Sequence, residues 1–527
     1  MKELNYKVFL PPFAIILFFV TLSIVDKETF LSLTTSIYDG ILSNFGWLLI
    51  LTACFLLILS IVIYFSPLGR VVIGGRSAVP ILSKWHLFTI SLCTTIGSGL
   101  MFWAFAEPIQ HMLHPPESMG LTPLSFQSAL YAMTATMKHW TFLSYGLYTI
   151  GGLMFGFCYY NMGRSFSLGT MISPLVKNGE RKWINRFIDI VCLFCIGSGI
   201  AAGLGVSSLN LNGAVEQIFN VKVTPLLWGT IIFVTITVAV ISATTGLQRG
   251  IKKLSNFNVN IYFLLIAAVF ILGPTVFILS FGVESTGEFF QTFLGRISFT
   301  GAASGDTWPQ QWTLYTLGGW MAWTPITAVF LGKISYGHRI KDFILINLIM
   351  TSVFSALWLI VLSGTTVYMQ LNLPASQLVE ALNAGYQNVA YQVFRNLPFS
   401  DILIVLYALA VFISFVTAID SNTTIMAAIS TKGISHDNSE SPGSVKLLWG
   451  IIIGALSFTM VFLTGGVTGC KMLANIGGFP IMFLLILIGI GAIKIMQKPY
   501  LYDLNKDDYD IFGHPIEREV NHPKNGE

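Results

Sequence analysis

The sequence predicts an all-α integral membrane protein with about 12 transmembrane helices, and three observations predict it. Of 527 residues, 54% are hydrophobic and only 10% charged, against roughly 25% charged in a soluble domain. Too few charges are left to cover a water-facing surface. Mean hydropathy is +0.72, and apolar runs long enough to cross a bilayer recur from end to end. One membrane domain therefore replaces the several soluble domains that length alone suggests. Third, basic residues gather in every second loop, the pattern of the cytoplasmic side of multi-pass proteins. The net charge of +4 gives no sign of a nucleic-acid partner.

Taken in order, the runs fall near 8–25, 46–66, 86–106, 141–162, 187–211, 225–245, 257–282, 311–332, 342–370, 399–430, 446–465 and 473–496. The first lacks a small-residue cleavage pattern and reads as a retained helix rather than a signal peptide. Residues 124–138 read as a helix leading into the fourth span, and 375–395 as a polar surface helix. At 284–298, Phe289, Phe290, Phe293, Leu294 and Ile297 share a helical face, which predicts an amphipathic interfacial helix in mid-chain. Arg70, Arg76 and Lys84 follow the second span, Arg181 and Lys182 the fourth, Arg249 and Lys252 the sixth, and Lys333 and Arg339 the eighth. An even number of spans with both termini in the cytoplasm satisfies this charge pattern. The C-x-x-C of Cys192 and Cys195 lies in an apolar run and reads as two membrane-buried thiols.

Two spans carry glycines in their middles. Gly97-Ser98-Gly99 in the third span invites unwinding, which is tolerated at membrane depth only beside protein or a watery cavity; close packing through small residues is the alternative. The eighth span repeats the feature at Gly318-Gly319, and an offset of five spans makes the two helices cross in opposite senses. Paired features of this kind point to a transporter site between inverted halves. Aromatic residues gather nearby: Trp140, Tyr145 and Tyr148, whose spacings fit one wide helical face, and Trp312, Tyr315, Trp320 and Trp323. Such an enclosure attracts a quaternary ammonium, although Trp140 also fits an interfacial belt. Asp420, flanked by Thr417, Ser421, Asn422 and Thr423, is the acid that stands out inside a span, either functional or held by helix-packing hydrogen bonds. His139, beside Lys138, reads as a helix start. No cluster of nucleophile, base and metal ligands emerges, so an enzyme is not expected.

These segments together resemble the betaine/carnitine/choline transporter family, from about Pro11 to about Lys498. The most specific stretch is QWTLYTLGGWMAWTPITAVFLGKISYGHRIKDFI; GSGLMFWAFAEPIQH, HWTFLSYGLY and GLQRGIKKLSNFN match other family segments in the right order. The resemblance implies two peripheral helices followed by two inverted five-helix repeats. The chain then divides into a tail and two peripheral helices (1–85), a first repeat (86–283), an interfacial helix and linker (284–310), a second repeat (311–497) and a short cytoplasmic tail (498–527). It also implies a plasma-membrane homotrimer that carries a quaternary-ammonium or zwitterionic solute by alternating access, as symporter or exchanger, with no cofactor. Carriage of another osmolyte, such as a sulfonium compound, and a non-transporting sensor are the alternatives.

Residue by residue, the family's aromatic box falls on Trp140, Tyr145, Tyr148 and Trp320, with Tyr145 where Trp is common. Trp323 matches a Trp of the inner pathway, and Gly97, Ser98 and Gly99 match the substrate-facing part of the third span. Candidates for a sodium site are Ile96, Thr417, Ser208 and Asp420. Ala418 stands where that site has a hydroxyl, and Ile326 where a second proposed sodium site has a Phe, so sodium as coupling ion is doubtful.

Overall fold

The computed structural model describes residues 4–177, 179–244, 248–373, 376–434, 441–464 and 466–517. Within those ranges the side chains of 93, 94, 96–98, 248–253, 255 and 376 lie outside the description. Helix α1 (Tyr6–Val25) and helix α2 (Lys27–Phe65) come first. Asp26 separates them and caps α2, accepting from the Thr29 N–H at 3.0 Å; that bond, with a second from the Thr29 hydroxyl at 2.7 Å, holds the Asp26 carboxyl below its ordinary pKa. The second span was expected to start near 46. The helix instead begins 19 residues earlier, because 27–45 contains no proline and has a capped start. At 39 residues and about 1.5 Å per residue, α2 is longer than a bilayer is thick. Leu51, Ile58, Ile61 and Val62 are exposed along it, as lipid contact requires.

The core begins with α3 (Lys84–Leu113), α4 (Phe126–Trp140) and α5 (Phe142–Gly156), followed by α6 (Lys182–Phe219) and α7 (Pro225–Thr244). The fourth span is interrupted at Thr141, where φ is −125° and ψ −134°. Side chains satisfy carbonyls around the interruption: Thr141 Oγ1 donates to Met137 O at 2.6 Å and Ser144 Oγ to His139 O at 2.7 Å.

Next come α8 (Gln248–Leu272) and α9 (Thr275–Ile297). The seventh span was expected to continue to 282. It stops at Gly273-Pro274, and the chain turns by 108° into α9; proline has no N–H to continue the helix and crowds the preceding turn. Helix α9 contains the predicted amphipathic segment, but its apolar residues divide. Phe289 and Ile297 are buried, while Phe290 and Leu294 point away from the protein.

After the short α10 (Trp308–Gln311), helices α11 (Thr313–Ile334), α12 (Ile340–Ile344) and α13 (Thr351–Asn372) follow. A π-helical segment, Leu345–Met350, joins the last two. The expected polar surface helix is two helices, α14 (Ser376–Ala384) and α15 (Tyr386–Arg395), split at Gly385 with φ +151°. It is not a surface element. Helix α15 buries Val389, Tyr391, Val393 and Phe394, and Tyr391 Oη donates to Asn210 O at 2.6 Å. Helices α16 (Ser400–Ile429), α17 (Gly443–Thr464), α18 (Val467–Gln497) and α19 (Pro499–Tyr502) complete the chain.

Among the described residues, nine helices are long and apolar enough to cross a membrane, or ten if the bent α8–α9 pair is one span. Helix α11 is long enough, at 22 residues, but falls outside that set. For α11 the cause is its Gly, Thr, Tyr and Trp content, and this is the composition that builds the site. Loop 335–340 pairs with 71–73 through Ile340 N–H to Val71 O (2.9 Å) and Ile73 N–H to His338 O (3.0 Å). Asp342 accepts from Lys84 at 3.0 Å and Arg339 at 2.9 Å, tying this loop to the start of α3.

Candidate functional site

A cavity of about 850 Å³, counted with the open space at its mouth, lies among α3, α4, α5, α6, α11, α16 and α18. Its wall carries seven aromatic side chains: Trp103, Trp140, Tyr148, Tyr315, Trp320, Trp323 and Phe415. Threonines, glycines, alanines and Val206 fill the rest, and among the described residues no Asp, Glu, Lys, Arg or His lines it.

Trp320 is the hub. Its ring centroid lies 5.8 Å from Trp140, 5.2 Å from Tyr145 and 4.7 Å from Tyr148. The structure therefore brings all four expected box residues together. They do not share one helix face, because Trp140 is the last residue of α4 whereas Tyr145 and Tyr148 stand on α5 beyond the interruption. Tyr145 is also not on the wall. It backs Trp320 and is fixed by a 2.9 Å hydrogen bond between its hydroxyl and that of Ser355.

The glycines do not break their helices. Helix α3 is continuous through 97–99 and α11 through 318–319. Close packing is what they provide. A Cβ at Gly99 would lie 3.1 Å from Cη2 of Trp140, so the missing side chain is the space the indole occupies. A Cβ at Gly318 would collide with the Asn475 side chain, and one at Gly478 with the Gly318 carbonyl; the pair lets α11 and α18 touch. The Ile96, Gly97 and Ser98 side chains lie outside the described residues. Trp323 reaches the wall against Gly199 and Gly203 of α6 and donates its indole N–H to Gly199 O at 3.1 Å.

Behind Trp140 lies a polar cluster that the sequence reading missed. Glu107 is buried on α3. Its Oε2 accepts from the Trp140 indole N–H at 2.7 Å, while Oε1 meets His111 Nε2 at 3.0 Å and also His139 Nδ1. His139 Nε2 and Lys138 Nζ reach Thr313 Oγ1 at 3.1 and 2.9 Å. His139 is thus a buried member of a network near the end of α4, not a helix-start residue. The cluster places three potential ligand atoms within 4.8 Å of one another, contrary to the expectation that no such grouping occurs. The signal available was E-x-x-x-H in FAEPIQH, which puts Glu107 and His111 on one face.

Of the ion-site candidates, Thr417, Ser208 and Asp420 lie off the wall. Thr417 Oγ1 donates to Ile413 O and Ser414 O, both at 2.9 Å, and Ser208 Oγ to Gly205 O at 2.8 Å. Asp420 is buried and its Oδ2 has no hydrogen-bond partner among the described residues. On this side the wall is made by Phe415 and Ala418. The position where a hydroxyl would face the cavity therefore carries a methyl group, a poor fit to sodium, which is held by several oxygens.

Comparison with known proteins finds relatives along nearly the whole chain. A sequence profile described as BCCT, betaine/carnitine/choline family transporter, matches residues 7–500. An ectoine/hydroxyectoine transporter of Virgibacillus pantothenticus is 28% identical over 498 residues, covering 94% of this chain and 97% of its own. A high-affinity choline transport protein of Escherichia coli (strain K12) is 26% identical, covering 94% of this chain and 72% of its own. A glycine betaine transporter of Acinetobacter baylyi is 25% identical over 94% of this chain and 74% of its own.

Proposed function

This chain belongs to the betaine/carnitine/choline family of transporters, and on that premise we propose that it moves an onium solute of the betaine, choline or ectoine type by alternating access around the aromatic cavity. It is a multi-pass membrane transporter and not an enzyme. The observation that carries the reading is the wall itself, seven aromatic rings with no ionised side chain beside them among the described residues. A positive group entering such a cavity is attracted by π faces, worth about 2 kcal/mol when dehydrated, without the cost of stripping water from a carboxylate. The positive head of the solute docks against Trp140, Tyr148 and Trp320, with Tyr145 holding Trp320 from behind.

The halves 86–283 and 311–497 then rock about this point, with α3 and α11 as the facing helices. Both termini face the cytoplasm, by the basic loops. No step is routed through sodium, since the side chains of Ala418 and Ile326 supply no oxygen; an opposing solute gradient or another ion drives the cycle. Phe290 and Leu294, exposed on α9, are available to contact a neighbouring copy in a trimer.

The test is flux. Purified protein in liposomes should take up labelled glycine betaine, choline or ectoine saturably, and each should inhibit its own uptake. Saturable binding with no flux would contradict transport and favour a sensor.

A further inference from the structure

Lys471 is the charged side chain beside the cavity that the transport cycle leaves unused. It lies near the start of α18, one turn before the wall residue Ala474. Its Nζ stands 3.5 Å from the ring centroid of Trp312, 5.0 Å from Tyr315 and 5.8 Å from Trp103. All three are within cation–π range. Trp103 and Tyr315 are also wall residues, so this cage and the solute cavity share two rings. Trp103 packs on Trp312 and Tyr315 at 5.8 and 5.6 Å, and Tyr386 of α15 packs on Trp103 at 5.6 Å.

Among the described residues no carboxylate lies within ion-pair distance of Lys471. Glu107 is occupied by Trp140, His111 and His139. The other lysine of this region, Lys138, is spent on Thr313 and the Trp308 ring, 5.1 Å away. Lys471 is partly exposed one turn into α18, and an ammonium with no acid partner beside an aromatic cavity is a candidate for function.

Several donors of the wall, meanwhile, are already engaged. Trp140 gives its N–H to Glu107 and Trp323 to Gly199, while the Thr95 and Thr316 hydroxyls donate to Ser91 O and Trp312 O.

We propose that Lys471 sets the charge class of the solute: the onium head docks at Trp320 while the solute carboxylate draws the Lys471 ammonium, so that zwitterions are taken in preference to simple cations. This rests on the reading of the cavity as an onium site. A zwitterion brings the negative charge that Lys471 lacks. A cation such as choline adds a second positive charge to a space that shares two rings with the first, where poor solvation strengthens repulsion.

The experiment is competition against labelled glycine betaine on the full-length protein in nanodiscs. The competitors are unlabelled glycine betaine, choline, and glycine betaine methyl ester, which keeps the trimethylammonium head and loses the carboxylate charge. On the unmodified protein, choline and the ester should each compete about tenfold or more weaker than glycine betaine. Lys471→Gln should narrow that gap to about threefold or less, and Lys471→Arg should keep it. Choline or ester competing as well as glycine betaine on the unmodified protein overturns the proposal, and this comparison needs no variant to fold. A gap that Lys471→Gln leaves unchanged also overturns it while the onium cavity stands. Absence of saturable binding of any onium solute to the unmodified protein overturns the cavity reading, and this proposal with it.

Discussion

Trp140 reaches the cavity because two residues of α3 shape its position: Gly99 leaves room for the ring, and Glu107 accepts its indole N–H at 2.7 Å. Gly99→Ala should push the ring by a few tenths of an ångström and weaken solute binding; Trp140→Phe, with a smaller ring, should abolish the difference between Gly and Ala at 99. Glu107→Gln removes the charge from a hydrogen bond worth roughly 1.5–3 kcal/mol and should weaken binding by up to about tenfold. In a Trp140→Phe background the same change should cost much less, and a binding cycle over the four proteins measures this coupling. At this scale the sequence was informative where chemistry is local. Trp140, Tyr148, Trp320 and Trp323 were named from local spacing and are wall residues, and a run as rich in Trp as GGWMAWTP is not explained by lipid contact. Glu107 and His139 were not legible as partners, because 32 residues separate them and only the packing of α4 on α3 closes that gap. Phe415 and Trp103 gave no signal that distinguished them from ordinary apolar residues.

Helices α3 and α11 are continuous where glycines suggested breaks, and the interruption lies at Thr141 instead. Glycine in an apolar span allows either unwinding or close contact, and only a neighbour decides between them; for Gly318 the neighbours are Asn475 and Gly478. Gly318→Ala should therefore destabilise the α11–α18 contact, by about 1–3 kcal/mol as overpacking does. Gly287 and Gly295 on α9 have open space where a Cβ would go, so alanine there should be neutral or stabilising by about 0.5–1 kcal/mol. Thermal unfolding of the purified variants in one detergent checks both. The same logic explains the other misread elements. The Gly273-Pro274 bend ended a span that hydropathy alone extended, and α15, polar by composition, is buried through one face because α14 and α15 fold back over the bundle.

For the whole molecule, the all-helical membrane fold was legible because lipid demands long apolar helices, whereas the expected 12 spans stand against nine or ten among the described residues. The drive for transport is argued at this scale too. With a methyl group at Ala418 facing the cavity and the Thr417 hydroxyl bonded within its own helix, uptake into proteoliposomes should persist when potassium replaces sodium on both sides. A complete loss of uptake would show that other oxygens hold the ion. The central claim is that an aromatic hub at Trp320 holds the positive head of the solute. Binding of labelled glycine betaine to the unmodified protein, Trp320→Phe and Trp320→Ala tests it most directly. The account predicts that Trp320→Ala loses more than about tenfold in affinity, the loss expected for a cation–π term of ~2 kcal/mol, and that Trp320→Phe retains part of it. Equal affinity in all three proteins would contradict it.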